Sequence, residues 1–147
     1  MKRKALAVLI LLTLGVPLTL TPAQAANGPC SGEQFFATRR TPSLIREERM
    51  QRLIRCVFNY YGLGSEIPTA LAISWRESHR LPWAWNRWSD CRGIFQHLGR
   101  YWSSRVYTLL PRAWFPRWPN VSAFHARANV IAAARMVKAS GWGAWAL

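Results

Sequence analysis

Between positions 43 and 61, Met50, Leu53, Ile54, Val57, Phe58 and Tyr61 recur at i, i+3, i+4 spacing, which predicts a helix with one apolar face. Pro42 and then Ser43 mark its start, with Ser43 as the expected N-cap, and Gly62 and Gly64 stop it. Arg46, Arg49, Arg52 and Arg55 fall three apart on the opposite side. Such a stripe reads either as a solvated face or as a strip for an anionic polymer. A second helix is expected from just after Ser65 to about Ser78, with Pro68 in its first turn. Ile67, Ala70, Leu71 and Ser74 should face inward, with Ile73 and Trp75 flanking. Residues 81–90 read as a loop rich in Trp, Asn and Pro, and 93–98 as a short extended or turning segment. Tyr101 to Leu110 is again helical, and Pro111, Pro116 and Pro119 break up the next stretch. A last helix from about Ser122 to Ser140 should turn Phe124, Ile131, Ala134 and Val137 inward and end at Gly141. With almost no period-two pattern, the expected fold class is mainly α, a small single domain over 43–147 with little or no β-structure.

The N-terminus obeys a different rule. Lys2, Arg3 and Lys4 precede a run, Ala5 to Leu20, that is almost wholly apolar apart from a break at Pro17. Ala23-Gln24-Ala25 then places small residues where a signal peptidase reads, so 1–25 is expected to be a secretory signal. The alternative, an uncleaved membrane anchor, needs a longer span. Cleavage near Ala25 implies a secreted or cell-wall-associated product. Residues 26–42 carry few periodic apolar positions and are expected to lie along the surface.

Composition sharpens this picture. Half of the 147 residues are hydrophobic, enough for a real core, and the net charge is +14. The predicted leader accounts for three of the cations and none of the acids, so the exported domain remains strongly basic and should seek anionic polymers. Export also permits disulfides. Cys30, Cys56 and Cys91 allow one bridge in three ways with one thiol left over, and the pairing is open from sequence. His79, His97 and His125 are too scattered for a zinc pattern, and no cofactor is expected.

Outside the leader the acids are Glu33, Glu47, Glu48, Glu66, Glu77 and Asp90. Glu47 and Glu48 lie on the Arg-rich helix face, where Glu48 can pair with Arg52, and Glu66 lies at a helix start, which favours an acid. Glu77 has no such explanation. It lies in the last turn of the second helix, where the dipole disfavours a carboxylate, and precedes a Trp-rich loop. An aromatic-lined apolar cleft is where a carboxyl group can hold its proton and act as a general acid on a glycosidic bond. The plain alternative is an ion pair with Arg76, Arg80 or Arg92. All nine tryptophans fall between Trp75 and Trp145, and Trp83, Trp85 and Trp88 are in the loop. Aromatic faces stack on sugar rings, and loop aromatics held by a scaffold are candidates for binding.

Glu77-Ser78 at a helix end, Gly93-Ile94-Phe95-Gln96 after a loop, the pair Tyr101-Trp102, Asn129-Val130-Ile131-Ala132-Ala133 opening a later helix, and the ending Gly141-Trp142-Gly143-Ala144-Trp145 occur in that order. This series resembles the lysozyme-like soluble lytic transglycosylase domain, and the ending resembles small secreted wall-lytic enzymes of actinobacteria. The resemblance spans roughly Ser65 to Trp145. It implies a helical domain with a cleft and peptidoglycan glycan strands as substrate; a monomer is the default expectation, and export without a nucleic-acid motif speaks against a specific nucleic-acid partner. The resemblance also implies Glu77 as catalytic acid and base, Gly93 and Gln96 as the cleft segment, and Tyr101 and Trp102 as cleft aromatics. Trp83 and Trp85 are further substrate-binding candidates. One departure stands out: after Glu-Ser the family carries Asn-Pro and small residues, whereas this chain reads His79-Arg80-Leu81-Pro82-Trp83-Ala84-Trp85. The rival readings are a lysozyme-type hydrolase, with Asp90 as second acid, and a non-catalytic cationic wall-binding protein.

Overall fold

The computed structural model describes residues 28–145, so the predicted leader and its cleavage site lie outside the described residues. Four α-helices, α1 (Ser43–Tyr60), α2 (Ile67–Ser78), α3 (Trp102–Leu109) and α4 (Ala126–Ser140), carry the fold. Three two-residue strands, β1 (Trp85–Asn86), β2 (Cys91–Arg92) and β3 (His97–Leu98), join α2 to α3. They form an antiparallel meander in which Asn86 faces Cys91 and Cys91 faces Leu98. The domain is mainly α, as expected; strands this short cannot show a period-two pattern, which is why the sequence read them as loop.

Helix α1 buries Met50, Leu53, Ile54, Val57 and Phe58, the face its spacing predicts. Its N-cap position is Pro42 rather than Ser43: the Pro42 carbonyl already accepts from Arg46 N, so Ser43 is the first helical residue. At the other end Gly62 takes φ +74° and Leu63 N bonds back to Phe58 O, closing the helix. In α2 the centre of the buried face is Ile73 with Ser74, while Leu71 is only half-buried and Trp75 is exposed.

Helix α4 is the axis of the domain. Every residue from Ala126 to Ala134 is buried, including Arg127 and Asn129. Its run of alanines lets α1 and α3 pack against it. It starts at Ala126, four residues later than expected. Residues 122–125 form a turn closed by His125 N on Ser122 O, and the carbonyls of Val121 and Ala123 are taken by Trp102 and Asn129 side chains. The His125 imidazole caps the helix, accepting from Ala128 N. Phe124 therefore lies ahead of the helix and is only half-buried.

The segment before α1 does more than lie along the surface. Cys30 is bonded to Cys56 on α1, Gly28 is buried against Trp114, and Arg127 donates to Pro29 O. Cys91 keeps a free thiol. The bridge joins residues 26 apart, which restricts the unfolded chain by about 3 kcal/mol on a loop-entropy basis. Replacing Cys30 and Cys56 together by Ser is expected to lower the melting midpoint by roughly 10 °C in calorimetry. An unchanged midpoint would show that Arg127 and the Trp114 contact hold the segment by themselves.

Among the described residues no helix is long and apolar enough to cross a membrane.

Candidate active site

Helix α2 ends abruptly. His79 and Arg80 both adopt positive φ (50° and 56°), with His79 N bonded to Trp75 O and Arg80 N to Ser74 O. Left-handed backbone at two successive non-glycine residues costs energy and persists where surrounding contacts demand it. Here the contacts are plain. Ser78 donates from its hydroxyl to Ile94 O at 2.7 Å, and Arg80 pairs with Glu47 on α1 and donates to Leu71 O. The last turn of α2 is thereby tied to the 93–97 segment, and Glu77 is presented at its edge.

Glu77 lines a cleft of about 310 Å³ together with Phe95, Gln96, His97, Arg105 and Trp145. Its side chain is about one-quarter exposed. Arg76 donates to one of its oxygens, Oε1, from both Nε (3.1 Å) and Nη2 (2.7 Å). Arg76 Nη2 also reaches Trp145 O at 2.8 Å, so the C-terminal turn holds the arginine that holds the acid. Oε2 has no hydrogen-bond partner among the described residues. An ion pair at Glu77 therefore exists, with Arg76 as its partner, and coexists with a place on the cleft wall.

The other sequence candidates separate into those that line the cleft and those that support it. Gln96 lines it. Its side-chain nitrogen donates to Gly93 O (2.9 Å) and Ala84 O (3.3 Å), which leaves the amide oxygen as the free acceptor. Gly93 does not reach the cleft surface. It is buried at φ +77°, and a Cβ there would lie 2.3 Å from Asn129 Nδ2 and 2.5 Å from Ala123 O, so its role is close backbone approach to α4. Trp102 is also no open aromatic wall: it is buried, its indole donates to Val121 O at 2.6 Å, and its ring packs 5.4 Å from His97. A buried indole with its N–H satisfied supports the cleft floor from behind.

Tyr101 and Trp85 are each half-exposed and lie outside the cleft lining. The Tyr101 ring carries Arg100 and Arg105 near its face, at 5.0 and 6.0 Å. Trp85 donates to Asp90 at 3.1 Å and lies beneath Arg87 and Arg92. Trp83 is turned toward the N-terminal side, where Arg39 and Arg46 stack on it. These rings are occupied by guanidinium groups in this structure.

Asp90, the rival second acid, belongs to the meander. Its carboxylate accepts from Arg92 Nε (2.8 Å) and Nη2 (3.0 Å) and from the Trp85 indole. The Arg92 hydrogen bond, with help from Trp85, holds its carboxyl below the usual carboxylate range. Asp90 does not line the cleft.

Several cleft residues are not among the site candidates read from the sequence. His97 is buried and pushed down to about 3, chiefly because burial disfavours its charged form. Arg105, eight positions on, reaches the same space from α3. Trp145 donates from its indole to Phe95 O at 2.9 Å and walls the cleft from the C-terminal side. The repeated Gly-Trp of the ending was visible in the sequence as a motif, but not as a wall.

Beneath all of this lies Asn129, wholly buried. Its amide accepts from Phe95 N (2.9 Å) and donates to Arg92 O (3.1 Å) and Ala123 O (2.9 Å), while its backbone carbonyl meets His97 Nε2 at 2.9 Å. One α4 residue thus ties the 92–97 segment at Arg92, Phe95 and His97. No group of His, Cys, Asp and Glu that could hold a metal occurs among the described residues. No family model matches the chain, and neither a curated protein nor a solved structure matches it.

Proposed function

We propose that this chain is a secreted lytic transglycosylase that cleaves peptidoglycan glycan strands with Glu77 as its single acid and base. The observation that carries the reading is that Glu77 is the one carboxylate lining the cleft among the described residues, with its Oε2 unbonded. Chemistry with one carboxylate is what a transglycosylase needs and what the usual two-carboxylate glycosidase lacks. In this scheme protonated Glu77 gives its proton to the leaving glycosidic oxygen as the C1–O bond breaks. The resulting carboxylate takes the proton of the muramyl 6-hydroxyl as O6 bonds to C1. A 1,6-anhydro end forms, no water is consumed, and Glu77 returns to its starting state. In this reading the free amide oxygen of Gln96 accepts from a sugar hydroxyl, and Trp145 offers an apolar wall; both residues line the cleft.

Mass spectrometry of fragments from purified peptidoglycan tests this directly. Anhydro-ended fragments support the transglycosylase. Reducing-ended fragments would make the protein a lysozyme-type hydrolase. Fragments from neither the parent nor its Glu77→Gln variant would move the assignment to a cationic wall-binding protein, a role favoured by the arginine-stacked rings at Trp83 and Trp85. Asp90→Asn separates the two enzymatic schemes. If one carboxylate suffices, its rate should fall by less than about threefold, well short of the loss expected for a general acid or base. A severe loss, with the fold intact by circular dichroism, would bring Asp90 into the reaction.

A further inference from the structure

Arg105 projects from α3 into the cleft that contains Glu77. Its guanidinium is partly buried, and among the described residues no carboxylate pairs with it; the ion pairs there belong to Arg52, Arg76, Arg80 and Arg92. What holds it is a neutral base. Arg105 Nη1 lies 2.9 Å from His97 Nδ1. His97 Nε2 donates to the Asn129 carbonyl, which leaves Nδ1 as the acceptor for Arg105. Burial keeps the imidazole uncharged down to about 3, so this contact orients the guanidinium without neutralising it. Burial also lowers Arg105 itself from its ordinary value. A desolvated cation without a counter-ion is costly, and a ligand anion is what recovers that cost.

We infer that Arg105 receives a carboxylate carried by the muramyl residue of the substrate, and so selects anionic glycan over uncharged glycan. The carboxylate is either the lactyl acid itself or the first acids of an attached peptide. This rests on reading glycan strands as the substrate of the cleft. Arg105 is a specificity residue, and His97 is the positioning residue that aims it.

The test is a binding titration of the Glu77→Gln protein, so that no turnover intervenes, monitored by NMR on the indole N–H of Trp145. The probes are one muramyl tetrasaccharide in three forms: free lactyl acid, lactyl amide, and lactyl acid extended by two amino acids. One of the acid forms should bind about tenfold more tightly than the amide, as expected for a charge-assisted hydrogen bond. Whichever acid form binds more tightly identifies the source of the carboxylate. A further Arg105→Gln change keeps an N–H for His97 and should remove the preference for acid over amide. Arg105→Lys should restore part of the preference. Equal binding of acid and amide by the parent would overturn the inference and leave the glycan reading standing. So would equal loss of all forms on Arg105→Gln. No binding of any form would take down the glycan reading as well.

Discussion

Glu77→Gln is expected to lower the rate of peptidoglycan cleavage by a factor of about 10³ or more, since in the proposed mechanism one residue serves as both acid and base. The substitution is nearly isosteric. The amide oxygen can still accept from Arg76, so the tie from Arg76 to Trp145 O survives and the cleft wall stays in place. What is lost is the group that can carry and return a proton. The measurement is release of soluble fragments under single-turnover conditions, with melting midpoints compared in parallel. The midpoint should barely move, because the side chain is partly exposed and neutral Gln meets the same donor. Cleavage that persists in this variant would remove Glu77 from the reaction and the transglycosylase assignment with it.

Asn129→Ala is expected to be the most damaging single change to stability. Truncation leaves Phe95 N–H and the Ala123 carbonyl without their partner in the buried interior, and takes a donor from the half-buried Arg92 carbonyl. Each orphaned buried group costs about 1–3 kcal/mol, and with partial rescue by water the sum is about 4–5 kcal/mol. The melting midpoint should fall by roughly 15 °C. The effect on the site should exceed the effect on the fold as a whole. At a temperature where the variant remains folded, amide exchange at Phe95 should rise by orders of magnitude, while exchange in the centre of α1 tracks only the global loss of stability. An unchanged midpoint would mean that the 92–97 segment is held by Ser78 and Trp145 alone.

These two residues differ in how far sequence could see them. Glu77 stood out because a carboxylate in the last turn of a helix opposes the dipole, although its neighbour Arg76 also offered the ion pair found in the structure. That is a local argument, and local arguments survive without coordinates. Asn129 could be seen only as part of a resemblance, because its partners lie up to 37 positions away. The same contrast runs through the cleft. Gln96 lines it, but Gly93 and Trp102 serve behind it, and Tyr101, Trp83 and Trp85 lie outside its lining. Residue type said that these groups could bind a sugar. In the fold these rings meet arginines from other elements, Arg39 and Arg46 at Trp83 and Arg105 at Tyr101.

What the sequence determined by itself was everything carried by short-range periodicity and chain chemistry: a mainly helical domain, the apolar face of α1, the helix stops at Gly62 and Gly141, and an acid set against the dipole at the end of α2. Tertiary structure alone decided the pairing of Cys30 with Cys56, the burial of the first nine residues of α4 on all sides, and the meeting of Glu77, His97, Arg105 and Trp145 around one cleft. The reason is physical. A helix is specified by hydrogen bonds and side-chain spacing within four residues, whereas a cleft is specified by which distant polar groups satisfy one another once the core has closed, and those partners leave no period in the chain.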